Sequence, residues 1–489
     1  MQLSHLIYPS ETVSGTIPSI AVRKPCMDTR ILAPNDVFYA DDPHRIAEAV
    51  KKGACAVIAH DSYQPCDLPT VPLLRVKNVR RQYALAWSRM MGDPARDLRI
   101  VAVTGTNGKT SVTSMLCDLL RALGYTTGLI GTAVCSDGIH TVSSDYTTPP
   151  PEILYPLLRK TKDNGAEFAV MEASSHALSQ ERMAGICPEI AVFTNLTRDH
   201  LDYHGTKDAY FAAKALLFKN AKKALIFDRD PASRRIAREA VGDVFYYGEN
   251  PLSEFYVKCP TYDADGIRYT LVFNEKETEV KLPLHGEFHI GNSAAALACA
   301  MLLGVGAESL PSAIQAMHTP AGRMERLPTN TPYTIYLDYA HSPDALHLAL
   351  RSLRPLCKRL TVLFGAGGER DTGKRPQMGG IASRIADRVI LTSDNPRGED
   401  PEKILAEIIS GIPCTDGVIR IPDRTEAIIY ALDTAQTDEI LLFAGKGNET
   451  YLIDENGKHP FSEREIIRKY LERKGYQYVF QHSGERAQS

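Results

Sequence analysis

The sequence predicts an α/β protein built as three successive domains: residues 1–97, 98–320 and 321–489. Three observations predict this. The chain has 489 residues, enough for about three cores. Short uninterrupted apolar runs alternate with helical stretches, as buried parallel strands and their crossovers do. Two breaks in composition divide the series, "MGDPARDL" at Met91–Leu98 and "HTPAGRMERLPTN" at His318–Asn330.

In the first domain, "DVFYA" and "CAVIAH" read as strands around a helical "PHRIAEAVKKGA", giving a small α/β unit. In the second, "RIVAVTG", "AEFAVMEA", "EIAVFTNL" and "KALIFD" are apolar runs of strand length, predicting a central parallel sheet. In the third, "YTIYLDYA", "RLTVLFGAG", "DRVILTSDNP" and "DEILLFAGKG" repeat that rhythm, predicting a Rossmann-like α/β sheet.

Composition narrows the function classes. The formal net charge of −3 gives no support for non-specific nucleic-acid binding. The ten cysteines are scattered with no CxxC pair, arguing against a zinc or dithiol centre. They are expected to be buried free thiols in a reducing compartment. "MQLSHLIYPSETVSG" has no signal-peptide pattern, and no apolar run reaches the length of a membrane helix. A cytoplasmic monomer with no membrane or nucleic-acid partner is expected.

"VAVTGTNGKTSVT" carries the first chemistry. Glycines permit a tight turn whose N–H groups point at phosphate oxygens, and the following helix adds its positive end. This predicts a P-loop ATPase-like site over Gly105, Thr106, Asn107, Gly108, Lys109, Thr110 and Ser111. Lys109 would reach the β- and γ-phosphates, and Thr110 would offer its hydroxyl to Mg²⁺. The first glycine of the usual pattern is replaced by Val103, so a bare glycine-rich turn is the competing reading. Glu172 stands at the end of a neighbouring strand, where a carboxylate can hold the metal. His200, in the polar "FTNLTRDHLDYHG", is either a metal ligand or a phosphate contact.

The ordered set "GTNGKT", "TTPP", "MEASSHAL", "TNLTRDHLDYHG", "GEFHIGNSAAA", "GRMER", "LDYAHSPDAL" and "SDNPRGEDP" resembles the Mur ligases, densely over residues 98–460. Within that family it is most similar to the UDP-N-acetylmuramoyl-tripeptide ligases. The resemblance implies a ligase of peptidoglycan synthesis: ATP activates a substrate carboxylate as an acyl phosphate, and an amine captures it. It implies that Thr110 binds a first Mg²⁺, that Glu172 and His200 bind or support a second, and that Lys214 is carbamylated and joins them. The modification has a physical reason, because an ammonium has no acceptor for a cation whereas a carbamate has two oxygens. On spacing alone Lys214 would be a plain helix-surface lysine. The resemblance further implies that Asn292, Arg323, Asp338 and His341 contact ATP. It assigns Thr147, Thr148, Ser174, Gln180 and Arg182 to the UDP-sugar peptide, with Asp28, Thr29 and Arg30 on the uridine side. The family's longer glycine-containing stretch is shortened here to "ADDPHRIAEAV", which allows a divergent nucleotide-sugar substrate.

For the acceptor, the resemblance points to Asp394, Asn395, Pro396 and Arg397, with Arg370, Gly445 and Glu449. The "DNPR" form accompanies addition of meso-diaminopimelate. A guanidinium fork grips the second carboxylate that lysine lacks. "NPRG" is also a turn, and both readings can hold together. "LFGAGGER" lacks the last glycine of a dinucleotide fingerprint, so NAD is not expected. The reading is therefore a ligase acting on UDP-MurNAc-L-Ala-D-Glu and meso-diaminopimelate. Its rivals are lysine addition, a divergent substrate, folylpolyglutamate synthase, and a non-catalytic P-loop nucleotide-binding protein.

Overall fold

A computed structural model describes residues 1–8, 12–14, 17–64 and 70–478. Three α/β layers follow one another along the chain. The first has five strands, parallel except at Thr12–Ser14. The helical reading around Pro43 resolves into a 3₁₀ turn, Pro43–Arg45, running into a short helix, Ile46–Lys51. The "MGDPARDL" break is packed as well as connecting: it forms a 3₁₀ turn, Pro94–Arg96, and buries Ala95 and Leu98.

The central sheet has eleven strands. Parallel pairing runs unbroken from Phe255–Asp263 through Asp243–Gly248, Lys223–Phe227, Ile190–Phe193, Arg99–Thr104 and Phe168–Glu172 to Thr127–Ile130. Its middle strands are apolar on both faces because both are covered. Val101, Val103, Val170 and Val192 pack with Val112, Met115 and Leu116 of the Lys109–Ala122 helix. Ile100, Ala102, Met171 and Ala191 face the other way, with Leu154 and Leu158 of the Pro151–Asp163 helix. Each of the valines, leucines, isoleucine and methionines among them, fully buried, stabilises the fold by about 1.5–3 kcal/mol.

Antiparallel additions flank this core, absent from the expected all-parallel sheet. They are Gly266–Phe273 and Lys276–Leu282 on one side, and Ala133–Ser136 with Thr141–Ser144 on the other. In Lys276–Leu282 only Thr278, Val280 and Leu282 are buried, so the strand is half solvated. The Arg99–Thr104 strand lies between Phe168–Glu172 and Ile190–Phe193. The order of connection reverses there, so the loops after these three strands open into one crevice.

The third sheet is parallel apart from Glu325–Arg326, ordered Thr334–Asp338, Glu439–Ala444, Arg359–Phe364, Arg388–Leu391 and Val418–Arg420. No described helix is long and apolar enough to cross a membrane. The expectation of uniformly buried cysteines is corrected. Cys26, Cys117, Cys135 and Cys299 are buried, but Cys187, Cys259 and Cys414 are exposed on turns and strand edges. Cys66 lies outside the described residues.

Candidate active site

The loop after the Arg99–Thr104 strand needs its glycines for space. A Cβ at Gly105 would lie 1.8 Å from Thr194 Oγ1. Gly108, with φ of 88°, would place one 2.7 Å from Asn292 Oδ1. The loop is pinned from the neighbouring strand end. Thr106 N donates to Asn195 O at 2.9 Å, Asn107 N to Asn195 Oδ1 at 2.9 Å, and Thr194 Oγ1 to Asn107 O at 2.6 Å. Gly108 caps the following helix without a side-chain bond, leaving that helix's first N–H groups for a ligand. Ser111 is buried in its first turn. Lys109 folds back onto Gly105 O and Thr106 O, each at 3.0 Å. Burial pulls its pKa down, against Glu172.

Glu172 is fully buried at the end of its strand. Its Oε2 accepts from Thr110 Oγ1 at 3.1 Å, and its Oε1 from Thr132 N at 2.7 Å. From there a network spreads through the residues predicted to hold the sugar peptide. Thr132 meets Thr147 at 3.0 Å, while Thr148 Oγ1 donates to Glu172 O at 2.8 Å and to Ser174 Oγ at 3.2 Å. Arg182 donates to Thr148 O at 2.7 Å and to Gln180 Oε1 at 2.8 Å. Gln180 reaches the Tyr203 hydroxyl at 3.0 Å.

Thr110 and Glu172 form a hard oxygen pair; the carboxylate's partners are hydroxyls and a backbone amide, and no cation among the described residues forms an ion pair with it. That suits Mg²⁺, which takes one or two protein oxygens beside water and phosphate. No group of three or more His, Cys, Asp or Glu among the described residues is arranged around a metal position. The other two predicted ligands stand on a different wall. Lys214 is 1% exposed, which excludes the plain surface lysine. Its Nζ donates to Gly105 O at 2.7 Å and lies 4.4 Å over the Tyr210 ring. Burial, then Lys109, holds its pKa far below the ordinary value. His200 adopts φ of 53° and sets Nε2 3.5 Å from Asp199 Oδ2. Its ring packs edge-on against His176 at 4.8 Å. Desolvation depresses its pKa to about 3, so the ring is neutral and able to ligate.

The third domain closes on this crevice. Arg323 Nη2 reaches Thr110 Oγ1 at 3.3 Å, its guanidinium 4.3 Å over the Tyr339 ring. Asp338 supports that turn by accepting from Met324 N at 2.6 Å and Ala340 N at 2.8 Å. His341 Nδ1 lies 2.8 Å from Tyr339 O, with Nε2 3.9 Å from Asp199. Asn292 lies beside the phosphate loop, its Nδ2 3.4 Å from His289 Nδ1. Arg198 pairs bidentately with Asp371 at 3.0 and 3.1 Å, and Arg370 meets Asp202 at 3.5 Å.

Beside this seam lies the DNPR turn. Arg397 has φ of 52°, and its Nη1 donates to Gly368 O at 2.8 Å and Asn395 O at 3.3 Å. No carboxylate among the described residues pairs with it. A Cβ on Gly367 would fall 3.1 Å from Arg397 Nη1 and 3.6 Å from Arg370 Cγ, so the two arginines are neighbours. Pro396 is buried behind them. Asn395 Nδ2 donates to Glu449 Oε2 at 3.1 Å. A Cβ on Gly445, φ 108°, would fall 3.1 Å from Asp394 Oδ2. Asp28, Thr29 and Arg30 instead find their partners within the first domain. Arg30 grips Asp28, which holds the Asp28 pKa near 2, and buried Thr29 bonds Glu48 at 3.0 Å.

Residues 103–300 match the Mur ligase middle domain, and residues 322–447 match the Mur ligase, glutamate ligase domain. A UDP-N-acetylmuramoyl-L-alanyl-D-glutamate--2,6-diaminopimelate ligase of Geobacillus kaustophilus (strain HTA426) is 38% identical over 466 residues, covering 92% of this chain and 94% of its own. The chain belongs to the Mur ligase family. A solved structure of a UDP-N-acetylmuramoyl-L-alanyl-D-glutamate--2,6-diaminopimelate ligase, 31% identical, superposes with TM-score 0.68 over 97% of this chain and 99% of that one. The MurF ligase of Thermotoga maritima in complex with ADP, 19% identical, shares the fold at TM-score 0.62 over 93% and 99%.

In this Mur ligase the middle-domain match takes in the phosphate loop, Glu172 and Lys214, and the second match takes in Arg323, Arg397 and Gly445. Sequence reasoning missed two lysines there. Lys446 is wholly buried and ties the residues around the DNPR turn together, meeting Asn395 Oδ1 at 3.0 Å, Glu449 at 3.2 Å and Asp394 at 3.4 Å. Its place between two glycines after an apolar strand was the available signal. Lys374 opens the Lys374–Ile385 helix and is also buried.

Proposed function

We propose that this Mur ligase joins meso-diaminopimelate to the D-glutamyl end of UDP-MurNAc-L-Ala-D-Glu, using ATP and passing through an acyl phosphate. The observation that carries the reading is a shared atom: Thr110 Oγ1 of the phosphate loop meets Glu172 from its own domain and Arg323 from the next. Neither half of the nucleotide site is complete alone, so phosphoryl transfer is confined to the closed, water-poor state that a hydrolysable intermediate requires. We place the domain boundaries at 97/98 and 320/321.

The substrate carboxylate attacks the γ-phosphorus, forming a C–O–P bond as ADP leaves. The acceptor amine then attacks the carbonyl carbon, loses a proton, and expels phosphate carrying the former carboxylate oxygen. Lys109, Arg323 and the N-terminal end of the Lys109–Ala122 helix hold the phosphates in line, a task of positioning and charge neutralisation. Mg²⁺ held by Thr110 and Glu172 would supply further charge neutralisation there. Burial favours the uncharged Lys214 amine, the form that adds CO₂ and releases one proton to give an anionic carbamate. With His200 that carbamate would complete a second metal position. Arg397 would receive the distal carboxylate of the acceptor, with Asn395 and Glu449 taking its ammonium. Thr148, Ser174 and Arg182 would orient the peptide. The relatives' names, the uncompensated Arg397 and the ADP bound to a protein of the same fold support these assignments.

The test is an amino-acid panel offered with UDP-MurNAc-L-Ala-D-Glu and ATP, read by mass spectrometry, using substrate labelled with ¹⁸O in the glutamyl carboxylate. Ligation of meso-diaminopimelate with label in the released phosphate is expected. Preference for lysine, or label confined to peptide and solvent, would overturn the assignment.

A further inference from the structure

Lys374 is 8% exposed and makes no hydrogen bond or ion pair with any described residue. It is the first residue of a twelve-residue helix, so its ammonium adds to the positive end of that helix. Buried lysines are ordinarily paired, because an unpaired ammonium loses its hydration without return. Four carboxylates act on it, Asp199 and Asp202 from the central domain and Asp371 and Asp394 from the C-terminal one. None is within contact; three have their own cation, and the fourth, Asp199, faces two histidines whose protonation burial disfavours. Asp371 has Arg198, Asp202 has Arg370, Asp394 has Lys446, and Asp199 has His200 and His341 close by. Lys374 is therefore a cation of the seam between the domains that no carboxylate among the described residues meets.

Its position fixes what would complete it. Asp199 lies within electrostatic reach of both Lys374 and Lys109 of the phosphate loop, and Lys109 in turn feels Arg323. Three cations thus converge on one crevice from three separate elements. An anion entering there meets a preorganised helix end and an ammonium that costs no further desolvation.

We propose that Lys374 contacts the phosphoryl group as it passes from ATP to the substrate carboxylate, making it a catalytic residue of the acyl-phosphate step. This rests on the ligase reading above. The acceptor amine has its own wall at Arg397 and Glu449, so Lys374 acts before the acceptor does.

The experiment compares the full-length protein with Lys374→Met and Lys374→Arg. Amide formation is measured with UDP-MurNAc-L-Ala-D-Glu, ATP and meso-diaminopimelate. The first half-reaction is measured without acceptor, by positional isotope exchange in ATP. Lys374→Met is expected to lose about 10²–10³-fold in kcat and in isotope exchange alike, with the acceptor KM and melting temperature unchanged. Lys374→Arg is expected to recover part of both, and it decides the matter should the methionine variant fail to fold. Isotope exchange within threefold of the unaltered protein in Lys374→Met, or no recovery by a folded Lys374→Arg, would overturn the inference. If the unaltered protein ligates normally, only the role of Lys374 falls; if it forms no amide, the ligase reading falls with it.

Discussion

Arg323 donates to Thr110 across the boundary between two domains, at 3.3 Å from Nη2 to Oγ1. The same hydroxyl donates to Glu172 at 3.1 Å. Domain closure and nucleotide-site assembly are therefore one event. The flanking pairs are weaker anchors. Arg198–Asp371 and Arg370–Asp202 are partly solvated, and exposed ion pairs contribute about 0–1 kcal/mol each. A seam held this lightly opens for substrate exchange.

Arg323→Gln should therefore separate binding from chemistry. The Lys109 side of the loop remains, so ATP still binds, measured calorimetrically, within a few-fold of normal. Removing a cation from the transferring group costs kcat about a thousandfold or more. An equal loss in affinity and kcat would mean that Arg323 serves only ground-state binding.

Glu172→Gln keeps the shape and removes the charge. A buried carboxylate with neutral partners is the fitting metal ligand, so the Mg²⁺ concentration for half-maximal ADP release should rise about 10–100-fold. A Mg²⁺ titration checks this, and an unmoved midpoint would assign Glu172 to loop support alone.

Lys214→Met should lose at least about a hundredfold in activity, and added bicarbonate should not restore it. The unaltered protein in ¹³C-bicarbonate should show one slow-exchanging carbamate resonance, absent from the variant. The signal should fade as pH falls, because protonation removes the amine that adds CO₂. Full activity in Lys214→Met would remove the carbamate from the account.

Arg397→Lys tests the acceptor wall. Its guanidinium is aimed by two backbone carbonyls and lacks a carboxylate partner. The lysine variant loses the fork, so the KM for meso-diaminopimelate should rise about a hundredfold while the KM for ATP stays fixed. Initial-rate kinetics over both substrates would show it.

Much of this was legible in the sequence. Central strands buried on both faces write themselves as apolar runs, and a phosphate loop writes itself as glycines before a lysine. The DNPR turn was readable because its arginine stands where no fold needs a charge. The meander Gly266–Leu282 was not, since alternating charges in "KETEVKL" mask a half-buried strand. Lys374 and Lys446 look like surface charges in "TGKR" and "GKGN". Both are buried in the folded chain. The four residues expected to hold metal are not all in mutual contact. Thr110 and Glu172 meet directly, whereas Lys214 bonds the loop carbonyl of Gly105 and not that pair.

His289 couples acid stability to the site. It is wholly buried, its Nε2 has no partner among the described residues, and its Nδ1 lies 3.4 Å from Nδ2 of Asn292, the residue over Gly108. Burial, assisted by His285, depresses its pKa to about 3 against an ordinary value of 6.5. Between those values the unfolded chain binds the proton and the native state does not, so stability rises with pH there. It is fully present above about pH 6.5 and drains away as pH falls toward 3, by on the order of 3 kcal/mol at pH 4. His289→Leu removes the titration, so its urea-unfolding free energy should depend less on pH than that of the unaltered protein across this window. Parallel curves for the two proteins would mean that His289 is protonated alike in the folded and unfolded states.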